Sequence, residues 1–366
     1  NMGIVLRDQG KLEEAIEACK KALAIKPDCA EAYLNMGAAL KEQRKLNEAL
    51  DAYNKALAIK PDYAEARVQK LDLLANICDW DAIAKDRKYI PSLGTNKEPV
   101  SPFPALTLED APERHRLRAE VFVRATLTRK PIPLPTKPSK KPERIRIGYF
   151  SSDFGNHPVT YLVTKMLALH DREKFEIFAY SFGNRKEGLW RQKVIDAVDA
   201  FTDVTEMSSL KIALLARQDE IDIAIDLNGH TKNSRLSIFA YRAAPIQMSY
   251  LGIAMTTGAD FIDYLIADRI CIPSDMESCF SESIMHLPNC YQVNDNSTVI
   301  SNVAMSRSEM GLPENGFVFC CFNQSFKITQ NIFDIWMRVL RQVDGSVLWL
   351  VRPNEWAEQN LRKEAN

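Results

Sequence analysis

The sequence predicts a solenoid of paired helices followed by an α/β region built on a mainly parallel sheet, with the opening of a second α/β unit at the end of the chain. Three observations support this prediction: an internal repeat at the start of the chain, an alternation of strand-like and helix-like segments in its middle, and a fresh strand–helix pattern near its end. With 366 residues, 46% of them hydrophobic, the chain is long enough for more than one core.

Composition narrows the class of partner and compartment. The formal net charge of -1 provides no basic field for nucleic acid, and no apolar run is long enough to span a bilayer, so we expect neither partner. The eight cysteines form no Cys-x-x-Cys pair and no metal-ligand spacing with histidine. We therefore expect reduced thiols, a cytoplasmic location and no bound metal or cofactor.

The repeat has a period of 34 residues. Residues 1–34 and 35–68 agree at 21 of 34 positions, and the period and the spacing of small residues resemble tetratricopeptide repeats. Pro27 and Pro61 follow the second helix of each pair, because proline cannot continue a helical hydrogen-bond ladder. A third, less regular unit follows from Ala64 to about Trp80.

Helix pairs of this kind stack into a solenoid with a concave face. Asn1 and Asn35 hold the same position in two repeats, and Gln69 follows in register. Stacked, these amides would hold the backbone of a peptide; the alternative is a row of solvated polar positions. We assign residues 1–89 to the repeats and expect protein or peptide acceptors on the concave face.

A linker with one helix is predicted between the repeats and the sheet, at residues 90–142. The helix is expected at about Pro112 to Thr126, and it is followed by the proline- and lysine-rich run KPIPLPTKPSKKPE. Proline removes hydrogen-bond donors and favours extended backbone, so this run is predicted to be a spacer.

Strands and helices then alternate, which favours a parallel sheet with helices on both faces. The strand-like segments are RIRIGYF (144–150), FEIFAYSF (175–182), AFTDV (200–204), IDIAIDLNG (221–229) and PIQMSYLG (245–252). The helix-like segments are about 159–170, 188–199, 209–218 and 232–241. We assign 143–293 to this N-terminal α/β lobe.

Three strand ends carry glycine together with small or polar side chains: SSDFGNHP (151–158), LNGHT (227–231) and YLGIAMTTG (250–258). Ligands of parallel α/β sheets bind beyond the carboxyl ends of the strands, so these segments are expected to line a crevice. The GxGxxG and Walker patterns are absent from the sequence, which disfavours dinucleotide and P-loop binding.

A second α/β unit is predicted to begin after a connection at 294–312. Within 313–366, FVFCCFN is expected to be a buried strand and SVLWLV another strand, with helices at 329–343 and 354–365. This is less than a whole domain, so we expect the second lobe to be truncated.

The segments SSDFGNHP, NGHTKNSR, APIQMSYLG and FNQSFKI resemble those of the protein O-linked N-acetylglucosamine transferase family, including its SPINDLY-like bacterial members. The order, repeats before a two-lobed GT-B region, is also similar. The resemblance implies an inverting glycosyltransferase that moves N-acetylglucosamine from UDP-GlcNAc to Ser or Thr hydroxyls of proteins without a metal.

The resemblance also implies roles for particular residues. The family's proposed base falls on His157, and a neutral histidine suits that role at neutral pH. Asp219 matches a carboxylate that is also considered for proton acceptance. Gln324 and Lys327 match the nucleotide-binding Gln and Lys of the family.

Further residues are expected around the cleft. Leu251 and Gly252 match residues that line the donor and acceptor cleft. Other residues expected to line the same cleft are Asn228, Gly229, Thr231, Arg242 and Gln247.

Two departures from the family keep alternatives open. The family reads Gly-Tyr-Pro-Gly-Thr where this chain has Gly252 to Thr256, so a relative that uses another donor, such as GDP-fucose, remains a candidate. The later part of the second lobe, which carries nucleotide and sugar contacts in the family, is missing. We therefore expect a fragment that is inactive by itself, and a non-catalytic peptide-binding scaffold is the second alternative.

Overall fold

The computed structural model describes residues 2–127, 143–183 and 187–366, and the chain divides into two compact units. One unit joins Asn1–Asp110 with Ser301–Asn366 and is called here the repeat unit; the other is Ala111–Ile300 and is called the sheet unit. Among the described residues, no helix is both long enough and apolar enough to cross a membrane. The proline- and lysine-rich run predicted as a spacer lies almost wholly outside the described residues.

The first part of the repeat unit consists of antiparallel helix pairs. Its helices are α1 (Met2–Asp8), α2 (Leu12–Ile25), α3 (Ala30–Glu42), α4 (Leu46–Ile59), α5 (Ala64–Asn76), α6 (Trp80–Asp86) and α7 (Pro102–Leu106), with a 3-10 helix at Arg87–Ser92. The predicted helix ends are confirmed, since α2 and α4 each stop two residues before Pro27 and Pro61. A Cβ on Gly37 would lie 2.6 Å from the ring of buried Tyr53, so only glycine allows this approach of α3 to α4.

The sheet unit alternates helices and strands. Its elements are α8 (Pro112–Thr126), β1 (Ile145–Ser151), α9 (Pro158–Ala168), β2 (Phe175–Ser181), α10 (Leu189–Ala197), β3 (Ala200–Asp203), α11 (Ser209–Gln218), β4 (Ile223–Asp226), β5 (Ile246–Ser249), β6 (Tyr264–Asp268) and β7 (Ser283–Leu287). The five predicted strands are confirmed, and β6 and β7 are two strands that the pattern did not reveal. The helix expected at 232–241 is instead a short 3-10 helix, Leu236–Tyr241.

All seven strands pair in parallel, in the order β3-β2-β1-β4-β5-β6-β7. The chain builds outward from β1 to β3 and then crosses back to place β4 on the other side of β1. Ile147 pairs with Ile223 and Phe150 with Asp226, which brings the carboxyl ends of β1 and β4 side by side. In doubly wound sheets this reversal of strand order opens a crevice where ligands bind.

The last part of the chain adds a small α/β element to the repeat unit. It contains β8 (Val318–Cys321), α12 (Gln330–Gln342), β9 (Val347–Leu350) and α13 (Glu355–Ala365), with a 3-10 turn at Ser325–Lys327. The elements match the prediction, but the expectation of a buried strand at FVFCCFN is wrong. Cys320 is exposed and the rest of β8 is half-buried, because in the described chain β8 pairs with β9 alone.

This small element packs on the third helix pair. Its shared apolar cluster consists of Cys78, Trp80, Ile328, Phe333, Ala357 and Leu361. The carbonyl of Asn76, at the end of α5, accepts hydrogen bonds from Ser325 Oγ at 2.7 Å and from Asn354 Nδ2 at 3.1 Å. Asn360 Nδ2 donates to the carbonyl of Ile77 at 2.8 Å. Side chains of the element therefore satisfy carbonyls that α5 leaves unpaired at its end.

Asn360→Ala is expected to lower the free energy of unfolding of the repeat unit by about 1–2 kcal/mol, because it leaves the part-buried Ile77 carbonyl without its partner. The matched control is Lys363→Met, on the same helix, which removes the exposed lysine's ion pairs to Asp81 and Glu364 and should change the free energy by less than about 1 kcal/mol. Hydrogen exchange of α5 and α13 measures both; equal effects would contradict the prediction.

Candidate active site

Polar side chains of the sheet unit converge at the carboxyl ends of β1 and β4. The loop after β1 provides Ser152, Asp153 and His157, and the loop after β4 provides Asn228 and Thr231. The strand order, which places β4 beside β1, brings these two loops together. This end of the sheet is the candidate active site.

The Asn228 side chain links the two loops. It is fully buried, and its Oδ1 accepts a hydrogen bond from the Ser152 backbone N–H at 2.9 Å. Its Nδ2 lies 2.9 Å from Ser152 Oγ, 2.8 Å from Asp153 Oδ2 and 3.2 Å from Thr231 Oγ1. A buried amide with its acceptor and donors all engaged fixes the relative position of the loops.

Asp226 ends β4 and supports the turn that follows. Its carboxylate is buried and accepts hydrogen bonds from the backbone N–H groups of Asn228, at 3.0 Å, and Gly229, at 2.9 Å. Burial raises the pKa of Asp226 to about 7, with nearby Asp153 adding to the shift and the two N–H groups opposing it. The site therefore contains a buried carboxyl group that titrates near neutral pH.

His157 precedes α9 and caps it. Its backbone is extended, and its Nδ1 lies 3.3 Å from the backbone N–H of Val159. Pro158 is the first residue of α9 and favours the extended conformation of His157. The Asp153 carboxylate lies 3.7 Å from the same Nδ1, and the ring is 30% exposed. His157 is thus a partly exposed imidazole held at the helix N-terminus beside a buried acid.

The loop after β5 approaches the loop after β4 closely. Leu251 has φ of 67°, a left-handed conformation that is strained for a leucine. Gly252 follows it, and a Cβ there would lie 2.2 Å from the Leu227 carbonyl oxygen. Gly229, with φ of 59°, faces Ile253. Backbone geometry therefore requires glycine at 229 and 252.

His230, in the loop after β4, contacts both the loop after β5 and α8. Its Nε2 lies 2.7 Å from the Thr257 carbonyl, and its ring packs edge-on against Phe122 with centroids 5.7 Å apart. Burial lowers the pKa of His230, so the neutral ring is favoured. These contacts give His230 a structural position between α8 and the loop after β5.

Asp219 lies near the amino ends of the strands, at the opposite end of the sheet from the candidate active site. It follows α11, and its carbonyl is 3.5 Å from Arg146 Nη1, near the start of β1. Its carboxylate accepts a hydrogen bond from the Tyr180 hydroxyl at 2.7 Å. The structure does not bring Asp219 together with His157, because α11 runs antiparallel to the strands and ends at their amino ends.

Arg242 and Gln247 also lie near the amino ends of the strands. The expectation that they line the same cleft as Asn228, Gly229 and Thr231 is therefore not met. Arg242 is ion-paired with Asp263, with Nη2 2.8–2.9 Å from both carboxylate oxygens. The Gln247 side chain is fully buried and bonds to the backbone of Ala243 and Phe239. Their side chains are engaged in holding the turn before β5.

The two predicted nucleotide-binding residues belong to the repeat unit. Gln324 and Lys327 lie on either side of the buried Ser325, and both are exposed. Thr329 caps α12 two residues after Lys327, so a helix N-terminus lies next to the motif. Gln324 also lines a cavity of about 530 Å³, whose cationic side chains are Lys41, Arg44 and Arg352.

The predicted amide ladder is only partly described. Asn1 lies outside the described residues. Asn35 is half-buried on α3, and Gln69 is half-buried on α5, where its Nε2 donates to Glu65 Oε1 at 2.8 Å. The ladder role of the three residues stays a prediction.

Sequence reasoning did not single out Asp153 and Asp226. The signal for Asp226 is a carboxylate at the end of the apolar run Ile223–Ile225, where an acid would otherwise be unfavourable. Asp153 lies inside the SSDFGNHP segment, but its partner Asn228 comes from a loop 75 residues later in the sequence. Within the described part of the chain, no group of three His, Cys, Asp or Glu side chains is placed to hold a metal ion.

A doubly wound parallel sheet with polar loops at its switch point, joined to an array of paired helices, defines a repeat-containing α/β protein with a Rossmann-type lobe. The sequence profile of the tetratricopeptide repeat matches residues 1–62, and that of glycosyl transferase family 41 matches residues 67–305 and 296–366. The chain belongs to glycosyl transferase family 41, and the resemblance seen in the sequence is confirmed.

Curated relatives carry names of one kind. The chain is 43% identical to the probable UDP-N-acetylglucosamine–peptide N-acetylglucosaminyltransferase SEC of Arabidopsis thaliana, with 64% of this chain and 25% of that protein covered. It is 36% identical to the probable transferase SPINDLY of the same plant, with 57% and 23% covered. A Caenorhabditis elegans transferase is 26% identical, with 60% and 29% covered. The chain thus spans about a quarter of the length of these relatives.

A solved structure supports the fold. A mutant of the Thermobaculum terrenum O-GlcNAc transferase superposes with a TM-score of 0.72 at 23% sequence identity. The match covers 99% of this chain and 70% of that one. The fold class predicted from the sequence, repeats followed by a GT-B-type lobe, is therefore confirmed.

Proposed function

We propose that the protein transfers N-acetylglucosamine from UDP-GlcNAc to Ser or Thr hydroxyls of proteins, with inversion at the anomeric carbon. The observation that carries this proposal is the position of His157, at the switch point of the sheet in a chain of glycosyl transferase family 41. The names of the relatives support the same donor and the same acceptor class.

His157 is proposed to act as the general base. As the acceptor oxygen forms a bond to the anomeric carbon, the bond from that carbon to the diphosphate oxygen breaks and the hydroxyl proton passes to the imidazole. A partly exposed imidazole suits this role. Asp219, which lies near the amino ends of the strands, is not included in the proposal.

Gln324 and Lys327 are proposed to bind the nucleotide diphosphate. Negative charge grows on the leaving diphosphate, and without a metal it has to be offset by cations, N–H groups and helix N-termini. Lys327 is exposed, and the N-terminus of α12 follows it directly. Both features are of the kind that binds phosphate oxygens.

Acceptor proteins are proposed to bind the repeats. The tetratricopeptide match and the printed names of the relatives support protein substrates in general. The finer proposal is that Asn1, Asn35 and Gln69 on the concave face hold the acceptor backbone. Peptide binding that survives Asn35→Ala combined with Gln69→Ala unchanged would argue against this finer proposal.

A cytoplasmic location is also proposed. All eight cysteines are free thiols in the structure, and three of them are buried. Reduced thiols are typical of the cytoplasm. Fluorescent tagging of the protein in its own cells tests the location, and secretion would contradict it.

The activity is tested in the protein expressed from its whole reading frame, incubated with a panel of nucleotide sugars and a Ser/Thr peptide library. We expect transfer from UDP-GlcNAc, and a loss of at least about 10²-fold with His157→Ala and with Lys327→Met. The control Lys26→Met changes an exposed lysine of the repeat unit and should keep wild-type activity. Transfer from GDP-fucose alone would identify another donor, and peptide binding without transfer would favour a scaffold.

A further inference from the structure

We propose that Asp153 is a positioning residue that holds His157 in the tautomer able to accept a proton at Nε2. This inference rests on the proposed function of His157 as a base. It adds a residue whose contribution is exerted through His157 and not through contact with a substrate.

The Val159 backbone and the Asp153 side chain favour different protonation states of Nδ1 of His157. The Val159 backbone N–H, 3.3 Å away, requires a lone pair on Nδ1, which puts the ring proton on Nε2. The Asp153 carboxylate, 3.7 Å away, is beyond hydrogen-bond distance, but its charge favours a proton on Nδ1, which leaves the lone pair on Nε2. Only the second tautomer can take a proton from a hydroxyl at Nε2.

The Asp153 carboxylate is held in place for this role. The side chain is buried, and its Oδ2, the oxygen nearest His157, accepts a hydrogen bond from Asn228 Nδ2 at 2.8 Å. The backbone is fixed as well, since Asp153 N–H donates to Ser151 Oγ at 2.9 Å and its carbonyl accepts from Thr160 Oγ1 at 2.6 Å. The oxygen is therefore positioned by β1, α9 and the loop after β4 together.

Electrostatics give the carboxylate a second effect. His157 occupies the N-cap position of α9, and the positive end of the helix dipole opposes the charge that the ring acquires when it takes a proton. With a proton on Nδ1 the ring no longer accepts from the Val159 N–H. The negative charge of Asp153, close to Nδ1, offsets this opposition. In the step itself the hydroxyl proton moves to Nε2, while the proton on Nδ1 stays on the ring.

The tautomer is measured by NMR on the 366-residue chain with ¹⁵N-labelled histidine, at a pH where the rings are neutral. The chain contains its own references. His170 Nδ1 lies 2.8 Å from the Met166 carbonyl and must carry the proton there. His286 Nε2 lies 2.9 Å from the Ile272 carbonyl and carries the proton on Nε2, because this hydrogen bond outweighs the exposed Glu277 carboxylate 3.9 Å from its Nδ1. We expect the His157 spectrum to match the pattern of His170.

Asp153→Asn is expected to move His157 toward the His286 pattern, because the amide lacks the charge that favours a proton on Nδ1. Asp171→Asn, which removes an exposed carboxylate next to His170, should leave His157 unchanged. Unchanged His170 and His286 signals show that the variant folds.

Asn228→Ala keeps the Asp153 carboxylate but removes the amide that hydrogen-bonds to it, and it should give a mixture of tautomers of His157. A His286-like pattern in the wild type, or no change in Asp153→Asn, overturns the proposal.

Activity distinguishes this inference from the proposed function. In the full reading frame, Asp153→Asn should lower kcat by about 10²-fold while KM for the acceptor changes little, because binding groups are untouched. If transfer is observed and Asp153→Asn retains wild-type kcat, the positioning role fails and the function stands. If no transfer is observed with any donor, the function fails, and the NMR result still decides the tautomer.

Discussion

The stability of the sheet unit is expected to fall by about 3 kcal/mol between pH 5 and pH 8 through Asp226 alone. The ordinary pKa of the group is 3.8, and burial raises it to about 7 in the folded chain. At about 1.4 kcal/mol per pKa unit the full effect is about 4 kcal/mol, most of it between these two pH values.

The sign follows from proton counting. Between the two pKa values the folded chain keeps a proton on Asp226 that the unfolded chain has released. Raising the pH through this window therefore favours unfolding, and the contribution is fully present only below about pH 4. Well above the folded-state pKa of about 7 both states are ionised, and the loss is complete.

Asp226→Asn provides the comparison, because an amide does not titrate. Between pH 5 and pH 8 its free energy of unfolding should rise by about 3 kcal/mol relative to that of the wild type. The loss of one hydrogen-bond acceptor adds a difference that does not depend on pH and does not affect this comparison. Hydrogen exchange of β1 and β4, compared between the two proteins at each pH, measures the difference and cancels the intrinsic exchange rate. Parallel pH profiles for the two proteins would show that Asp226 is not the group concerned.

Replacing Gly252 by alanine is expected to destabilise the sheet unit by about 3 kcal/mol or more. The added Cβ would lie 2.2 Å from the Leu227 carbonyl oxygen and 2.8 Å from the Asn228 Cα. Both are backbone atoms, so the clash cannot be relieved by a side-chain rotation. The loops after β4 and β5 have to separate.

The consequence should extend to the site. Separation at Leu227 moves Asn228, which holds Ser152 and Asp153, so exchange protection should fall in the loop after β1 as well. The matched control is Ala254→Ser, which adds one atom at an exposed position of the same loop and should change the free energy by less than about 0.5 kcal/mol. A Gly252→Ala protein as stable as its control would refute the close approach.

Much of the fold follows from local pattern. The 34-residue period, the prolines after α2 and α4, and the alternation of strands and helices from β1 to β5 are each read from neighbouring residues. The pattern does not predict β6 and β7, because no regular helix separates either of them from the strand before it. The domain boundaries and site roles assigned from the sequence stay predictions.

The site was predictable only in part. Arg242 and Gln247 come from a segment that resembles the family's motif. Arg242 precedes β5 and Gln247 is its second residue, so both lie near the amino ends of the parallel strands, away from the candidate site. The presence of a residue in a motif does not show whether it lies at the amino or the carboxyl ends of the strands. The predicted residues that follow strands at their carboxyl ends, and that the structure places there, are His157, Asn228, Gly229, Thr231, Leu251 and Gly252.

By itself the sequence determined the repeats, the α/β class and the candidate base, because these depend on periodicity and on short motifs. Only the tertiary structure decided that β4 lies beside β1 and not beside β3, since strand order is set by pairing between distant segments. That pairing brings Asn228 to Asp153, and the loop after β1 brings Asp153 to His157. The environment of the histidine, and with it the tautomer we infer, is a product of that long-range contact.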